Sequence, residues 1–297
     1  MNPRRTRLAP TPSGYLHLGN LLSFALTAFL ARKRGASLLL RIDDMDGDRK
    51  RSEYVQDVFD TLDFFGIHWD EGPRNAGDFE ARYAQRHRLP LYKAALQMLA
   101  DEGRVYACTC SRSEVLQASA DGRYPGTCRH KGLPLDTKDA AWRLRTDERV
   151  LMVQAYHRPA IETALPKRMQ DFVVRKKDGL PAYQLTSLID DEHFGVDFIV
   201  RGEDLLDSTL AQLFLAQILQ KPDFLSTVFL HHPLVTTADG RKLSKSAGDT
   251  SIHFLRQQGG NPEEVIGTIA GRMGCGLPRL NIYALGEFWA GMLEQSP

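Results

Sequence analysis

The stretch "RLAPTPSGYLHLGN", Arg7 to Asn20, stands directly ahead of a strongly apolar run, "LLSFALTAFLA". Pro10 and Pro12 stiffen the chain there, and Gly14 permits a positive backbone φ. The segment reads as a shaped turn between a short strand around Arg5 to Ala9 and a helix from about Asn20. Turns aimed at a helix N-terminus are where proteins hold anions. On this segment alone an ordinary strand-to-helix loop is the competing reading.

Working outward, "LLSFALTAFLARKRG" is a helix that ends in basic residues and Gly35. "ASLLLRID" is a short apolar run followed by charges, as a buried parallel strand would be. Tyr54, Val55, Val58, Phe59, Leu62 and Phe65 then recur at helical spacing. A β-α-β-α order of this kind implies an α/β fold with a parallel sheet covered by helices. Ligands of such sheets bind beyond the carboxyl ends of the strands. The Arg7 to Asn20 turn falls at that edge, and so does "RIDDMDGDR".

The 297 residues suffice for one large domain or two smaller ones. With 42% hydrophobic and 25% charged residues the chain has an ordinary soluble composition, and a net charge of +1 neither requires nor excludes a nucleic-acid partner. No run approaches the ~18 apolar residues of a membrane span. The basic N-terminus lacks an apolar h-region, so no secretory signal is expected. Four cysteines point to a reducing cytoplasm rather than a disulfide scaffold.

After a helix over 89–102, ended by Gly103, the α/β rhythm breaks. "VYACTCSRSEVLQASADGRYPGTCRHKG" carries three of the four cysteines and reads as an inserted module. Strand-like runs follow at 141–145 and 151–156, and "DFVVRKKDGLPAYQL" reads as a hairpin turning at Asp178-Gly179. The rhythm resumes with the strand "VDFIVRGEDLLDS", the helix "TLAQLFLAQILQ" and the strand "STVFLHHPLVT". A glycine-rich basic loop, "ADGRKLSKSAG", comes next, and short helical patterns fill the 51 residues after Ser246. Cys275 reads as a small buried hydrophobe, and Trp69, Trp142 and Trp289 as packing residues. His231 and His232, adjacent on a strand, point to opposite faces and read as structural or as lining a nucleotide pocket.

Two motifs carry chemistry. His17-Leu18-Gly19-Asn20 sets an imidazole and backbone N–H groups at a helix N-terminus, and Lys242-Leu243-Ser244-Lys245-Ser246 sets two ammonium groups on a short loop. Both stabilise negative charge on a triphosphate. Each motif alone is weak; in this order, at opposite ends of an α/β pattern, they reinforce one another.

Here the chain resembles a known family. "APTPSGYLHLG" is similar to the HIGH signature of class I aminoacyl-tRNA synthetases, and "KLSKS" to their KMSKS signature. "LLLRIDDMDGDR", "YACTCSR", "YPGTCR", "AYQLTSLIDD", "VDFIVRGEDLLDST" and "DGRKLSKS" run in the order of the glutamyl-tRNA synthetase group. The 51 residues after Ser246 are too few for an anticodon-binding domain of ~100–150 residues. The resemblance is therefore narrowed to the stand-alone glutamyl-Q tRNA(Asp) synthetases, ligases that activate glutamate with ATP and attach it to queuosine in the anticodon of tRNA(Asp).

The resemblance implies a Rossmann-like catalytic domain in two halves, residues 1–104 and 171–248. A zinc-containing insert at 105–170 would separate them, and a helical segment at 249–297 would follow. It implies glutamate binding by Arg7, Leu8, Ala9, Pro10, Thr11, Asp43, Tyr183 and Arg201, and ATP binding by His17, Gly19, Asn20 and Lys245. His17, Lys242 and Lys245 would be catalytic. The family has "RIED" where this chain has "RIDD", so Asp43 reaches one methylene less far toward the substrate's amino group. A forked guanidinium suits a carboxylate and penalises glutamine, so Arg7 and Arg201 are the carboxylate candidates. The bland alternatives are surface ion pairs for the arginines and a core aromatic for Tyr183.

Cys108, Cys110 and Cys128 lie within 21 residues, enough thiols to begin a tetrahedral zinc site. From the residues alone, His130 is the first choice for a fourth ligand, and three reduced, unliganded cysteines remain possible. The resemblance implies Tyr124 instead. Zn²⁺ would be structural, stapling a module too small for its own core, and Mg²⁺ would accompany ATP. Expected partners are ATP, L-glutamate and tRNA, with no membrane and a monomeric protein. The alternatives are another tRNA position as acceptor, or a degenerate module that binds ATP or an amino acid without joining them.

Overall fold

The computed structural model describes residues 3–45, 47, 49–119, 123–234, 251–272, 276 and 281–295. In chain order the elements begin with β1 (Arg5–Leu8), α1 (Leu18–Arg34), β2 (Ser37–Leu40), α2 (Ser52–Phe64), α3 (Ala76–Asp78) and α4 (Leu89–Asp101). Next come β3 (Val105–Cys108), α5 (Arg112–Ala118), β4 (Ala141–Leu144), β5 (Val150–Ala155), β6 (Ile161–Ala164) and β7 (Val173–Arg175). Then follow α6 (Tyr183–His193), β8 (Phe198–Gly202), α7 (Leu206–Ile218), α8 (Pro222–Leu225) and β9 (Val228–His232). The last are α9 (Ile252–Gln257), α10 (Pro262–Arg272) and α11 (Ile282–Gln295). They fold as two compact units, one of Met1–His87, Val196–Asp204 and Phe229–Pro297, the other of Arg88–Gly195 and Leu205–Val228.

In the first unit β1 and β2 pair in parallel, with Arg5 opposite Ser37 and Leu8 opposite Leu40. The crossover is α1, whose length and apolar faces match the sequence reading. Gly35 ends it in the left-handed conformation, φ 65°, returning its N–H to Ala31 and Arg32 carbonyls beside the basic last turn. On the other side of β1, Asp197 N donates to Arg5 O at 3.1 Å, and Arg7 Nη1 reaches Val200 O at 3.3 Å. These contacts advance in one direction, so β8 runs beside β1, and β9 neighbours β8. Leu8, Leu21, Leu22, Leu40, Val58, Leu62, Ile252 and Leu285 share one core there. Helix α11 packs on α1 there, where a Cβ on Gly286 would stand 2.3 Å from Ala25 O.

In the second unit β3, β4 and β7 form an antiparallel sheet, and β5 and β6 form an antiparallel hairpin. Helix α6 packs against α4, α7 and β7. Buried Arg88 clasps Asp190 with Nε–Oδ1 at 2.7 Å and Nη2–Oδ2 at 3.0 Å. Tyr92 adds its hydroxyl to the same carboxylate at 2.6 Å.

Two expectations change. The turn at Asp178-Gly179 forms, but its return arm is short, a bridge from Arg175 to Pro181 flanked by Lys176 N to Leu180 O at 2.7 Å and Ala182 N to Val174 O at 2.9 Å, and "YQL" begins α6. Leu185, Leu188 and Ile189 give this segment a helical apolar face that outweighs the hairpin pattern. Gly14, in turn, is absent from the positive-φ residues. The turn is shaped instead by Pro10 and Pro12, both buried, and by Ser13 N donating to Thr11 O at 2.9 Å.

Candidate active site

The turn after β1 runs alongside the chain leaving β2, with Arg41 N bonded to Leu8 O and Asp43 N to Pro10 O, both at 2.9 Å. The carboxyl ends of β1, β2 and β8 therefore carry Arg7, Asp43 and Arg201, all three buried. The Arg201 guanidinium carbon stands 5.6 Å from the centre of the Phe229 ring. Arg41 grips Asp43 through both oxygens, at 2.7 and 3.0 Å. Asp44 is committed elsewhere, to Gln85 N at 2.7 Å and Lys50 Nζ at 2.8 Å. In "RIDD", then, Arg41 orients the first acid and the second braces the loop. Tyr183 belongs to the second unit, where it is the first residue of α6 and 41% exposed, so it is not a core aromatic.

His17 is the N-cap of α1. Its Nδ1 accepts from Gly19 N at 3.1 Å and Asn20 N at 3.3 Å, and Asn20 Oδ1 accepts from His17 N at 3.1 Å. From the sequence these two amides are expected to face a ligand. They instead serve the imidazole, which takes up orphan donors of the first turn as a Ser or Asp cap would. An Nδ1 that accepts leaves the neutral ring's proton on Nε2. His17 thus joins a donor to the positive end of a helix dipole.

His231 and His232 diverge as alternation requires. The His231 ring stacks at 10° and 6.0 Å on Phe229, while His232 Nε2 meets Ser23 Oγ at 2.5 Å. Burial, then the charge of Arg201 and neighbouring His232, pushes His231 down to about 3. His231 is therefore a neutral neighbour of Arg201, and anion attraction there belongs to the arginine. Lys242, Lys245 and Cys275 lie outside the described residues.

The second unit gathers the cysteines. The sulfurs of Cys108, Cys110 and Cys128 all lie within 4.8 Å of one another, and Cys110 and Cys128 are 3.6 Å apart. Tyr124 stands over them, its hydroxyl 3.3 Å from Cys108 Sγ and accepting from Cys128 N at 2.7 Å. His130 is exposed and outside the cluster. Burial pushes the Cys110 thiol up to about 11, helped by Cys128 and Cys108. Burial acts likewise on Cys128, but the Thr109 amide and hydrogen bonds from Cys110, Tyr124 and Cys108 outweigh it and bring that thiol to about 7. Sulfurs around a tetrahedral zinc ion sit about 3.8 Å apart for bonds of about 2.3 Å, so the thiol donor set fits.

Sequence reasoning missed the residues that brace these groups. Asp171 accepts from Tyr106 Oη at 2.7 Å and from Thr146 N at 3.1 Å, and it pairs with Arg129, next to Cys128. Arg143 Nε reaches Cys108 Sγ at 3.3 Å. In the first unit Asp57 holds Leu16 N at 3.0 Å. No periodic pattern marks either aspartate.

The catalytic domain of class I tRNA synthetases for E and Q matches residues 4–281. The chain belongs to that family. The synthetase is 37% identical over 279 residues to a protein of Symbiobacterium thermophilum named glutamyl-Q tRNA(Asp) synthetase, covering 89% of this chain and 84% of that one. A Pseudomonas syringae pv. syringae protein of the same name is 41% identical over 241 residues, 81% of this chain and 76% of the other. The glutamate–tRNA ligase of Anaeromyxobacter sp. (strain Fw109-5) is 35% identical over 276 residues, and the synthetase spans 57% of its length. Among solved structures, the glutamate-tRNA synthetase of Elizabethkingia anophelis superposes with a TM-score of 0.69 at 25% identity, over 83% of this chain and 53% of that one. The synthetase is thus an α/β ligase of the aminoacyl-tRNA synthetase type, and none of its described helices is long and apolar enough to cross a membrane.

Proposed function

We propose that this synthetase joins the α-carboxylate of glutamate to the α-phosphorus of ATP, expelling pyrophosphate. It then passes the glutamyl group from AMP to queuosine in the anticodon of tRNA(Asp). The observation that carries the reading is His17. Its imidazole caps α1 through Nδ1 at the sheet edge where Arg7, Asp43 and Arg201 gather. Such an arrangement stabilises phosphate charge with groups already in place, and no protein nucleophile is required. Relatives named glutamyl-Q tRNA(Asp) synthetase, 37% and 41% identical to this chain, support the anticodon acceptor.

Arg7, Leu8, Ala9, Pro10, Thr11, Asp43 and Arg201 take the glutamate. An arginine fork recognises its side-chain carboxylate, and Asp43, held by Arg41, faces the amino group. His17 and Lys245 bind ATP, which enters with Mg²⁺, while Gly19 and Asn20 act there through the imidazole that their amides hold. Lys242 and Lys245 neutralise charge that grows on the phosphates. Cys108, Cys110, Tyr124 and Cys128 hold a structural Zn²⁺ within the 105–170 insert. The protein works as a monomer in the cytoplasm.

Glutamate-dependent exchange of pyrophosphate into ATP, without tRNA, tests the first half of the reaction. Exchange with glutamate and none with glutamine is expected, and Lys245→Ala should lower it about 10²–10³-fold. A protein that binds ATP yet shows no exchange is the degenerate module instead.

A further inference from the structure

We infer that Asp57 is a positioning residue for His17, and that it acts by clamping the turn at 15–17 to the chain at 251–256. The inference rests on the proposed role of His17 in nucleotide binding.

Asp57 sits mid-way along α2 with a side chain only 1% exposed. Its Oδ2 accepts from Leu16 N at 3.0 Å, and its Oδ1 from Arg256 Nη2 at 2.9 Å. His253 Nδ1 lies 3.5 Å from the same Oδ1. The two segments it touches are also tied directly. Ile252 N donates to Leu16 O at 2.9 Å, His17 and Ser251 form an antiparallel bridge, and the Tyr15 and His253 rings stack at 4.0 Å and 11°. Both peptide groups flanking Leu16 are thereby fixed, one by Asp57 and one by Ile252. Leu16 immediately precedes the cap, so its placement sets the backbone from which the His17 ring projects.

The chemistry requires a carboxylate. Leu16 and Arg256 are both donors, and only an ionised acid offers two acceptor oxygens, one to each. Asparagine would present an NH₂ to one of them. A buried acid that spends one oxygen on a backbone amide beside the cap, when Arg256 could satisfy it from the surface side, is placed for geometry. Displacing a reacting group by even ~1 Å can lower a rate about 10²-fold.

The test is a double-mutant cycle in the full chain with Asp57→Asn and His17→Asn, since asparagine at 17 keeps a cap while removing the Nε2 donor. Asp57→Asn should lower glutamate-dependent exchange about 10–100-fold, with the glutamate KM changed less than about twofold. In the His17→Asn background the same substitution should lower it less than about threefold, because the group it positions is gone. Equal losses in both backgrounds would overturn the inference, as a purely structural role predicts them. If Asp57→Asn does not fold, Arg256→Gln enters the cycle in its place with the same expectations. Amide hydrogen exchange provides a readout without turnover. Protection of Leu16 to Asn20 and of Ser251 to Arg256 should fall together in Asp57→Asn, and unchanged protection there would refute the clamp. Should the unmodified protein show no exchange of pyrophosphate, the proposed function fails, and the protection experiment still decides the clamp.

Discussion

His17 and Asn20 hold each other. The imidazole Nδ1 accepts from Asn20 N at 3.3 Å, and Asn20 Oδ1 accepts from His17 N at 3.1 Å. The residue proposed to meet ATP phosphates is therefore also the cap of the helix that crosses over from β1 to β2, and its two roles can be separated.

His17→Asn preserves a good N-cap and removes only the Nε2 donor, whereas His17→Ala removes both. The first should leave the unfolding midpoint within about 1 °C while lowering pyrophosphate exchange by about 10²-fold or more. The second should lose the same activity and about 1 kcal/mol of stability as well. Denaturant melts beside exchange rates check this pair, and equal stability losses would deny the cap.

Two glycines of α11 should respond with opposite signs. A methyl group on Gly286 would meet Ala25 O at 2.3 Å and Phe29 Cβ at 2.7 Å, while one on Gly291 meets nothing within 4 Å. Gly286→Ala must push α11 off α1 and should cost about 1–3 kcal/mol. Gly291→Ala restricts the unfolded chain and suits a helix, and should gain about 0.4–1 kcal/mol. Thermal melts of the two variants decide.

Metal content discriminates the fourth zinc ligand. Protein purified from zinc-supplemented medium should carry about one zinc per chain by elemental analysis. Cys128→Ser should lose it, Tyr124→Phe should weaken its retention against a chelator, and His130→Ala should leave it unchanged. A chelator should lower the melting temperature of the unmodified protein and of His130→Ala alike, because a closed thiolate site contributes folding energy. Loss of zinc in His130→Ala would reassign the ligand.

Acid should weaken the fold through His231. Its folded value of about 3 lies below the unfolded value near 6.5, so the unfolded chain binds the extra proton first. The stability His231 contributes is complete above about pH 6.5 and is lost as pH falls toward 3, with a slope of up to about 1.4 kcal/mol per pH unit. Burial depresses His232 in the same direction. Urea unfolding at pH 7, 6, 5 and 4 should show a shallower decline in His231→Gln. An unchanged slope would mean that the imidazole is not held neutral.

Much of the architecture was legible because it is local. The apolar spacing of α1 and α2, the stop at Gly35 and the short strand "SLLL" are each dictated within a dozen residues. The cysteine cluster was legible too, since spacing brought three thiols into one short segment. Tyr124 was legible through the family resemblance alone, because by residue type a phenol is a rare ligand and His130 a common one; the fold shows Tyr124 over the sulfurs and the histidine exposed. Gly14 misled because a glycine beside prolines permits positive φ without requiring it. The hairpin after Gly179 was overread because two turn residues cannot say whether the returning chain is strand or helix. Asp57 and Asp171 left no trace in any pattern. Their partners, Leu16, Arg256, Tyr106 and Thr146, are distant in sequence, and a buried acid looks like a surface one until its donors are assembled around it.

The site of glutamylation tests the central claim most directly. The protein would be incubated with ATP, radiolabelled glutamate and tRNA from cells able or unable to make queuosine, and the labelled tRNA mapped by nuclease digestion. The account expects label only in queuosine-containing tRNA(Asp), on the anticodon fragment. Label on the 3′-terminal adenosine, or equal labelling of queuosine-free tRNA, would contradict it.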